Sequence, residues 1–167
     1  MSVCHVCRHS LSSIGKRNAL SFPDGAYAFC SEDCMLTHVH SCPPIPNEYL
    51  PSYGISPAPK EWKDAECYST LLDQRFRSWF ECSVAEHLVL KWKTPIVFEP
   101  HSIRLDRTHC YVPDFWLPEY GVWLEVKGEW RLGAKSKFTR TQEILGADRL
   151  LIVPPAYKWL TEKRCKR

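Results

Sequence analysis

Two carboxylates and an amine are the side chains in this sequence most suited to chemistry. Asp114 stands in Tyr111-Val112-Pro113-Asp114-Phe115, and Glu125-Val126-Lys127-Gly128 closes an apolar run eleven residues later. Strand alternation sends Val122, Leu124 and Val126 to one face, and Trp123, Glu125 and Lys127 to the other. A hairpin turning at Pro118-Glu119-Tyr120-Gly121 brings Asp114 beside Glu125. Acids are seldom set against sheet and helix without a purpose. A hard cation such as Mg²⁺, or Mn²⁺ in its place, takes one or two carboxylates and leaves its other positions to water and phosphate oxygen. Asp114 and Glu125 would supply those carboxylates and the Val126 carbonyl a further oxygen. Lys127 would orient a water or meet charge developing on phosphorus. Phosphodiester hydrolysis is the chemistry such a set suits.

Several elements must hold these groups in place. Leu72, Phe76, Trp79, Phe80, Val84, Leu88 and Val89 recur at spacings of three and four, which predicts a long helix over about 68–93 ended by Pro95. Strands are expected over 96–105, interrupted near Pro100, over 110–117 and over 122–127. A helix over about 136–145 stops at Gly146, a buried strand follows over 149–153, and the chain after Ala156 has room for a short helix. The order is α-β-β-β-α-β, a mixed α/β chain of the α+β kind. Either Glu81 or Glu86 could face the hairpin acids, because the first helix is apolar almost all round and periodicity does not choose. Lys135, Lys137 and Arg140 could meet backbone phosphates, or simply form a solvated helix start.

A second chemistry lies at the N-terminus. Cys4-His5-Val6-Cys7 and Cys30-Ser31-Glu32-Asp33-Cys34 form two close pairs separated by 22 residues, a pattern that suits tetrahedral Zn²⁺. The second pair heads a helical segment through about Val39, whose free N–H groups favour thiolate charge. Residues 1–42, poor in apolar content, read as a mini-domain that folds on its metal. His38, His40 or Cys42 could replace one cysteine as ligand. His5 and His9 read as loop residues, and Cys67, Cys82, Cys110 and Cys165 as core or surface thiols. Residues 43–67 read as a linker, since 43–59 holds six prolines and favours an extended spacer. Residues 68–167 make the larger domain.

Composition agrees with two modest folded units: 167 residues, 44% apolar and 13% aromatic. Net charge is +3, with positive residues concentrated after Lys127, a mild nucleic-acid signal. No run of about 18 apolar residues is present to span a membrane, and the first residues lack a secretory pattern. An intracellular protein is expected, in which the nine cysteines serve as metal ligands or buried thiols rather than disulfides.

Pro113-Asp114 followed by Glu125-Val126-Lys127, in the α-β-β-β-α-β order, resembles the PD-(D/E)xK nuclease superfamily and its restriction-endonuclease-like core. Phe76-Arg77-Ser78-Trp79-Phe80-Glu81, with Ala85 and Leu88, resembles the Ser-x-x-Glu helix motif of its phage and mobile-element branch. Phe98-Glu99-Pro100 and Tyr111-Val112-Pro113-Asp114-Phe115 are similar to that branch's first and second strands, so the resemblance covers about residues 70–153. It implies a Mg²⁺-dependent DNA endonuclease, with Asp114, Glu125 and Lys127 in the site and Glu81 rather than Glu86 assisting the metal. It also implies junctions, branched DNA or transposon ends as substrates, a homodimer or a recombination or packaging partner, and the host cytoplasm if the chain is phage-encoded. Gln142 is similar to a downstream Gln of recombination-type relatives, but the accompanying Tyr is missing and no role follows. Tyr27-Ala28-Phe29-Cys30-Ser31, then Cys34, resembles the FCS or TRASH class of treble-clef-like zinc modules, which implies a structural zinc on Cys4, Cys7, Cys30 and Cys34. A non-catalytic adaptor, gripping DNA or a protein through the zinc module, is the competing expectation.

Overall fold

A computed structural model describes residues 3–11, 26–58 and 67–154. Helix α1 (Glu32–Ser41) starts at Ser31, whose Oγ accepts the Cys34 N–H at 3.3 Å, the usual device for satisfying a free N–H at a helix start. A 3-10 helix (Asn47–Tyr53) leads into β1 (Ile55–Pro57). The hairpin β2 (Cys67–Ser69) and β3 (Gln74–Phe76) precedes α2 (Trp79–His87), which widens into a π-type turn over Leu88–Trp92. Strands β4 (Val97–Phe98), β5 (His101–Arg104), β6 (Cys110–Tyr111), β7 (Phe115–Leu117) and β8 (Val122–Val126) follow. Helix α3 (Ala134–Leu145) and β9 (Leu150–Val153) complete the described chain.

The central sheet has the order β4-β7-β8-β9. Strands β4, β7 and β8 pair antiparallel, and β9 runs parallel to β8 after the α3 crossover. Strands buried on both faces read as continuous apolar runs, as β9 does, and β8 departs from that only at Glu125. On one face Val122, Leu124, Val126, Leu151 and Val153 pack with Met35 and Val39 of α1, with Val84 and Ala85 of α2 and with Leu88 of the turn after it. On the other, Trp116, Trp123, Leu150 and Ile152 pack with Phe138 and Leu145 of α3 and with Ile103 and Tyr111. Those last two belong to a second antiparallel sheet of order β1-β5-β6. The result is a mixed α+β arrangement, helices on both faces of one sheet. Gly121 sets the β7–β8 turn: its φ is +58°, and a Cβ there would come within 2.7 Å of Ile45, so both backbone and space demand glycine. Among the described residues no helix is long and apolar enough to cross a membrane.

Three expectations need correction. The helix expected over 68–93 begins only at Trp79, because residues 67–76 form the β2–β3 hairpin. Leu72 and Phe76 fit a helical spacing, but Cys67, Ser69 and Phe76 point inward with strand alternation. Asp73 takes a left-handed φ of 49° in the turn, and Ser69 Oγ accepts the Leu72 N–H. Ser78 then caps α2 by accepting the Glu81 N–H at 3.2 Å. The strand expected over 110–117 is divided in two at Val112–Asp114, whereas the interruption expected near Pro100 falls at Glu99-Pro100, and in both cases the pieces serve different sheets. The proline-rich spacer is not extended throughout: Pro51 lies inside the 3-10 helix, and Ile55–Pro57 pairs with His101–Ile103. Residues 59–66, the segment after Pro154 and Cys165 lie outside the described residues.

Candidate functional site

The β7–β8 register builds the first site. Phe115 faces Leu124 and Trp116 faces Trp123; one more step along the same register sets Asp114 opposite Glu125. There the ladder gives way to a side-chain bond, the Val126 N–H donating to Asp114 Oδ2 at 2.7 Å. A strand residue's N–H and C=O point toward the same neighbouring strand, so the Val126 carbonyl lies on the Asp114 side. Glu125 pairs with Lys127, whose Nζ lies 5.8 Å from the centre of the Trp130 ring. Two residues without an assigned role in the sequence join them. Glu99, in the break between β4 and β5, donates its N–H to the Asp114 carbonyl at 2.8 Å. Arg77, just before α2, pairs with Glu99 and reaches Asp114 Oδ1 at 3.3 Å. Their signal in the sequence was faint: a Glu before Pro in an apolar strand, and an Arg before a helix cap.

Glu81, rather than Glu86, borders this cluster. Its Oε2 accepts the N–H of Arg77, the residue before the Ser78 cap, at 3.0 Å, and its charge bears on Glu99 and Asp114. Glu86 instead accepts the Ser69 hydroxyl at 2.7 Å. Around the cluster stand four acids, Glu81, Glu99, Asp114 and Glu125, all buried, against the cations Arg77 and Lys127. Glu99 Oε2 has no hydrogen-bond partner among the described residues, and the Tyr111 hydroxyl bears on the Glu125 carboxylate. Buried charges without counter-charge or hydrogen bonds are costly.

That cost is visible in proton affinity. Burial, then repulsion from Glu125 and Glu81, holds the Asp114 carboxyl well above its ordinary value. Burial raises Glu125 against the pull of Lys127. Tyr111 is raised by burial and by the neighbouring Glu125 and Asp114 charges. Burial pushes Glu99 up from 4.5 to about 7, opposed by Arg77 and helped by Glu81 and Glu125. A carboxyl that binds its proton more tightly folded than unfolded contributes stability that is whole below the unfolded pKa and is lost as pH rises through the folded value. Cation-free protein is therefore expected to lose stability between pH 4.5 and about 7. Glu99→Gln, which has no proton to lose, should flatten that fall. Thermal melts of both proteins at matched pH measure it, and parallel profiles would discount the part given to Glu99.

A second site is formed by Cys4, Cys7, Cys30 and Cys34, whose sulfurs all lie within 4.8 Å of one another. Cys7 Sγ is 3.3 Å from Cys30 Sγ, and Cys30 Sγ is 3.6 Å from Cys34 Sγ. The first pair sits on a tight turn closed by Arg8 N–H to Cys4 O at 3.0 Å and Cys4 N–H to His9 O at 2.8 Å; the second sits at the start of α1. Burial opposes ionisation of Cys4, but the N–H groups of Cys7, Cys30 and Val6 bring it down to about 6. Cys30 is pushed up to about 12 by burial and by the Cys7, Cys34 and Cys4 thiols. Crowded thiols whose protons a bound ion would displace make a site that could hold an ion such as zinc. Among the described residues this is where three or more candidate ligand atoms converge so closely; the hairpin acids do not form such a ring.

The other candidates fall elsewhere. His38 Nε2 lies 2.9 Å from Asp148 O and 3.7 Å from Cys42 Sγ, and His40 packs against Tyr120, so neither joins the cysteine cluster. His5 stacks on Tyr27 at 3.5 Å and His9 is exposed. Cys67 and Cys82 are buried and Cys110 is exposed. Gln142 is buried and donates to Leu150 O at 3.0 Å, tying α3 to β9. Arg140 bonds Asp106 at 3.2 Å and Leu105 O at 2.8 Å, pinning the β5–β6 turn; Lys135 is half-buried and Lys137 exposed. Compared with models of known protein families, with curated proteins and with solved structures, the chain matches none.

Proposed function

We propose that this chain is a Mg²⁺-dependent endonuclease that hydrolyses phosphodiester bonds in DNA. The observation that carries the reading is the excess of buried acid at the end of β8: four carboxylates against two cations, with Glu99 Oε2 lacking a hydrogen-bond partner among the described residues. A hard divalent cation relieves such an excess, and one that binds two carboxylates needs no closed ring of ligands. With β5 and β6 set aside, which pair with β1 in the second sheet, the central-sheet strands and flanking helices follow the order α2, β4, β7, β8, α3, β9, with β9 parallel to β8, an order that supports an αβββαβ nuclease core. DNA rather than RNA follows from the resemblance of the strand motifs.

Bound Mg²⁺ would polarise the phosphate and acidify a water. Asp114 and Glu125 would hold it with the Val126 carbonyl, and Glu81 would orient its water. Lys127, shared with Glu125, would meet the charge that grows on the phosphate oxygens. Lys135 and Lys137 would touch the backbone away from the site, whereas Arg140 would do so only by leaving Asp106. On the four cysteines a zinc ion with no open position would be structural. The test is a cleavage panel of single-stranded, duplex, flapped and four-way DNA with matching RNA, in Mg²⁺ or Mn²⁺. Cation-dependent cleavage of DNA is expected; no cleavage of any substrate would favour the adaptor.

A further inference from the structure

Arg77 and Glu99 have no task in that reading, yet they occupy its centre. We propose that Arg77 is a phosphate-binding residue of the cluster and Glu99 the positioning residue that keeps it there when Asp114 turns to a cation. The inference rests on the nuclease reading and assigns it a second contact to the substrate.

Asp114 has one oxygen committed, Oδ2 to the Val126 N–H; the other, Oδ1, lies 3.3 Å from Arg77 Nη2. A cation on Asp114 competes with the guanidinium for that oxygen. Released into solvent, Arg77 would be lost to the site, but the same nitrogen is also paired with Glu99. Glu99 is poorly able to follow it outward: its side chain is 1% exposed, against 38% for Arg77. The Glu99 N–H is bonded to the Asp114 carbonyl and Pro100 follows. Its φ of +44° is left-handed, a strained conformation for a non-glycine residue. Strain plus a buried acid is a poor route to stability, since buried ion pairs seldom add any. What the arrangement achieves is a guanidinium anchored on its inner side, partly exposed to solvent and adjacent to Asp114. A guanidinium fork matches two phosphate oxygens in a way that an ammonium group does not.

The test uses the full chain with its zinc retained, and reads Mn²⁺ binding by calorimetry, duplex DNA binding in Ca²⁺ and single-turnover cleavage in Mg²⁺. Arg77→Lys is expected to weaken DNA binding about tenfold and slow cleavage, the scale of one charge-assisted contact, while Mn²⁺ affinity holds. Glu99→Gln is expected to weaken Mn²⁺ binding about tenfold because Arg77 then leans more heavily on Asp114, and adding Arg77→Gln should restore it, a coupling of the size seen between touching residues. DNA binding by Arg77→Lys at the wild-type level overturns the assignment of Arg77. A double variant still deficient in Mn²⁺ overturns that of Glu99 and makes it a cation ligand. Should Glu99→Gln fail to fold, the lysine variant decides alone. Wild type lacking any Mn²⁺ site sensitive to Asp114→Asn removes the nuclease reading and this inference with it; a normal Mn²⁺ site with an indifferent Arg77→Lys removes the inference only.

Discussion

Asp114→Asn is expected to lower cation-dependent DNA cleavage by about a hundredfold to a thousandfold, the usual loss when one preorganised charge is taken from a hydrolytic site, without loss of the fold. Asparagine keeps an oxygen for the Val126 N–H, which donates to Asp114 at 2.7 Å, and removes one of the crowded acids. Because burial and the Glu125 and Glu81 charges already hold the Asp114 proton tightly, the metal-free variant should melt no lower than wild type. Lys127→Ala should also abolish cleavage but with the opposite effect on stability, since it strips the buried Glu125 of its paired cation. Initial rates in Mg²⁺ and thermal melts followed by circular dichroism measure both. Full cleavage by either variant would sink the assignment of these residues, whereas lost cleavage accompanied by collapse of both folds would show only a structural role.

Stripping the ion from Cys4, Cys7, Cys30 and Cys34, by a strong chelator or by Cys30→Ser, is expected to lower Tm by about 10 °C or more. A structural zinc is worth on the order of 10 kcal/mol, and roughly 2–4 °C follows each kcal/mol in a chain of this size. The damage should not stay local. Met35 and Val39 of α1 are fully buried in the same core as Leu88 and Phe115. Glu32, in the first turn of α1, accepts the Trp92 indole N–H at 2.5 Å and pairs with His87. Loss of the metal should therefore loosen α2 and, through Glu81, the acid cluster. Metal analysis should find one zinc per chain, and readdition should restore the melt. An unchanged Tm after verified removal of the metal would deny the ion a structural role.

Much of this arrangement could be read along the chain, where it depends on neighbours in sequence. The alternation of β8, the turn ending at Gly121, the stop at Gly146 and the two cysteine pairs are local patterns with one dominant physical solution. They suffice to put Glu125 and Lys127 on one face and the four sulfurs within reach of one ion. The β2–β3 hairpin was hidden because Leu72 and Phe76 satisfy helical spacing as well as a strand and turn, and pairing with Cys67–Ser69 resolves the conflict. The choice of Glu81 over Glu86 depended on where Ser78 starts the helix and what lies across from it. Arg77 and Glu99 reach Asp114 from 37 and 15 residues away. No periodicity records such a meeting, because burial and charge compensation arise only when the sheet closes. Local chemistry thus sets which groups can act, and long-range packing sets which of them are crowded enough to need a cation.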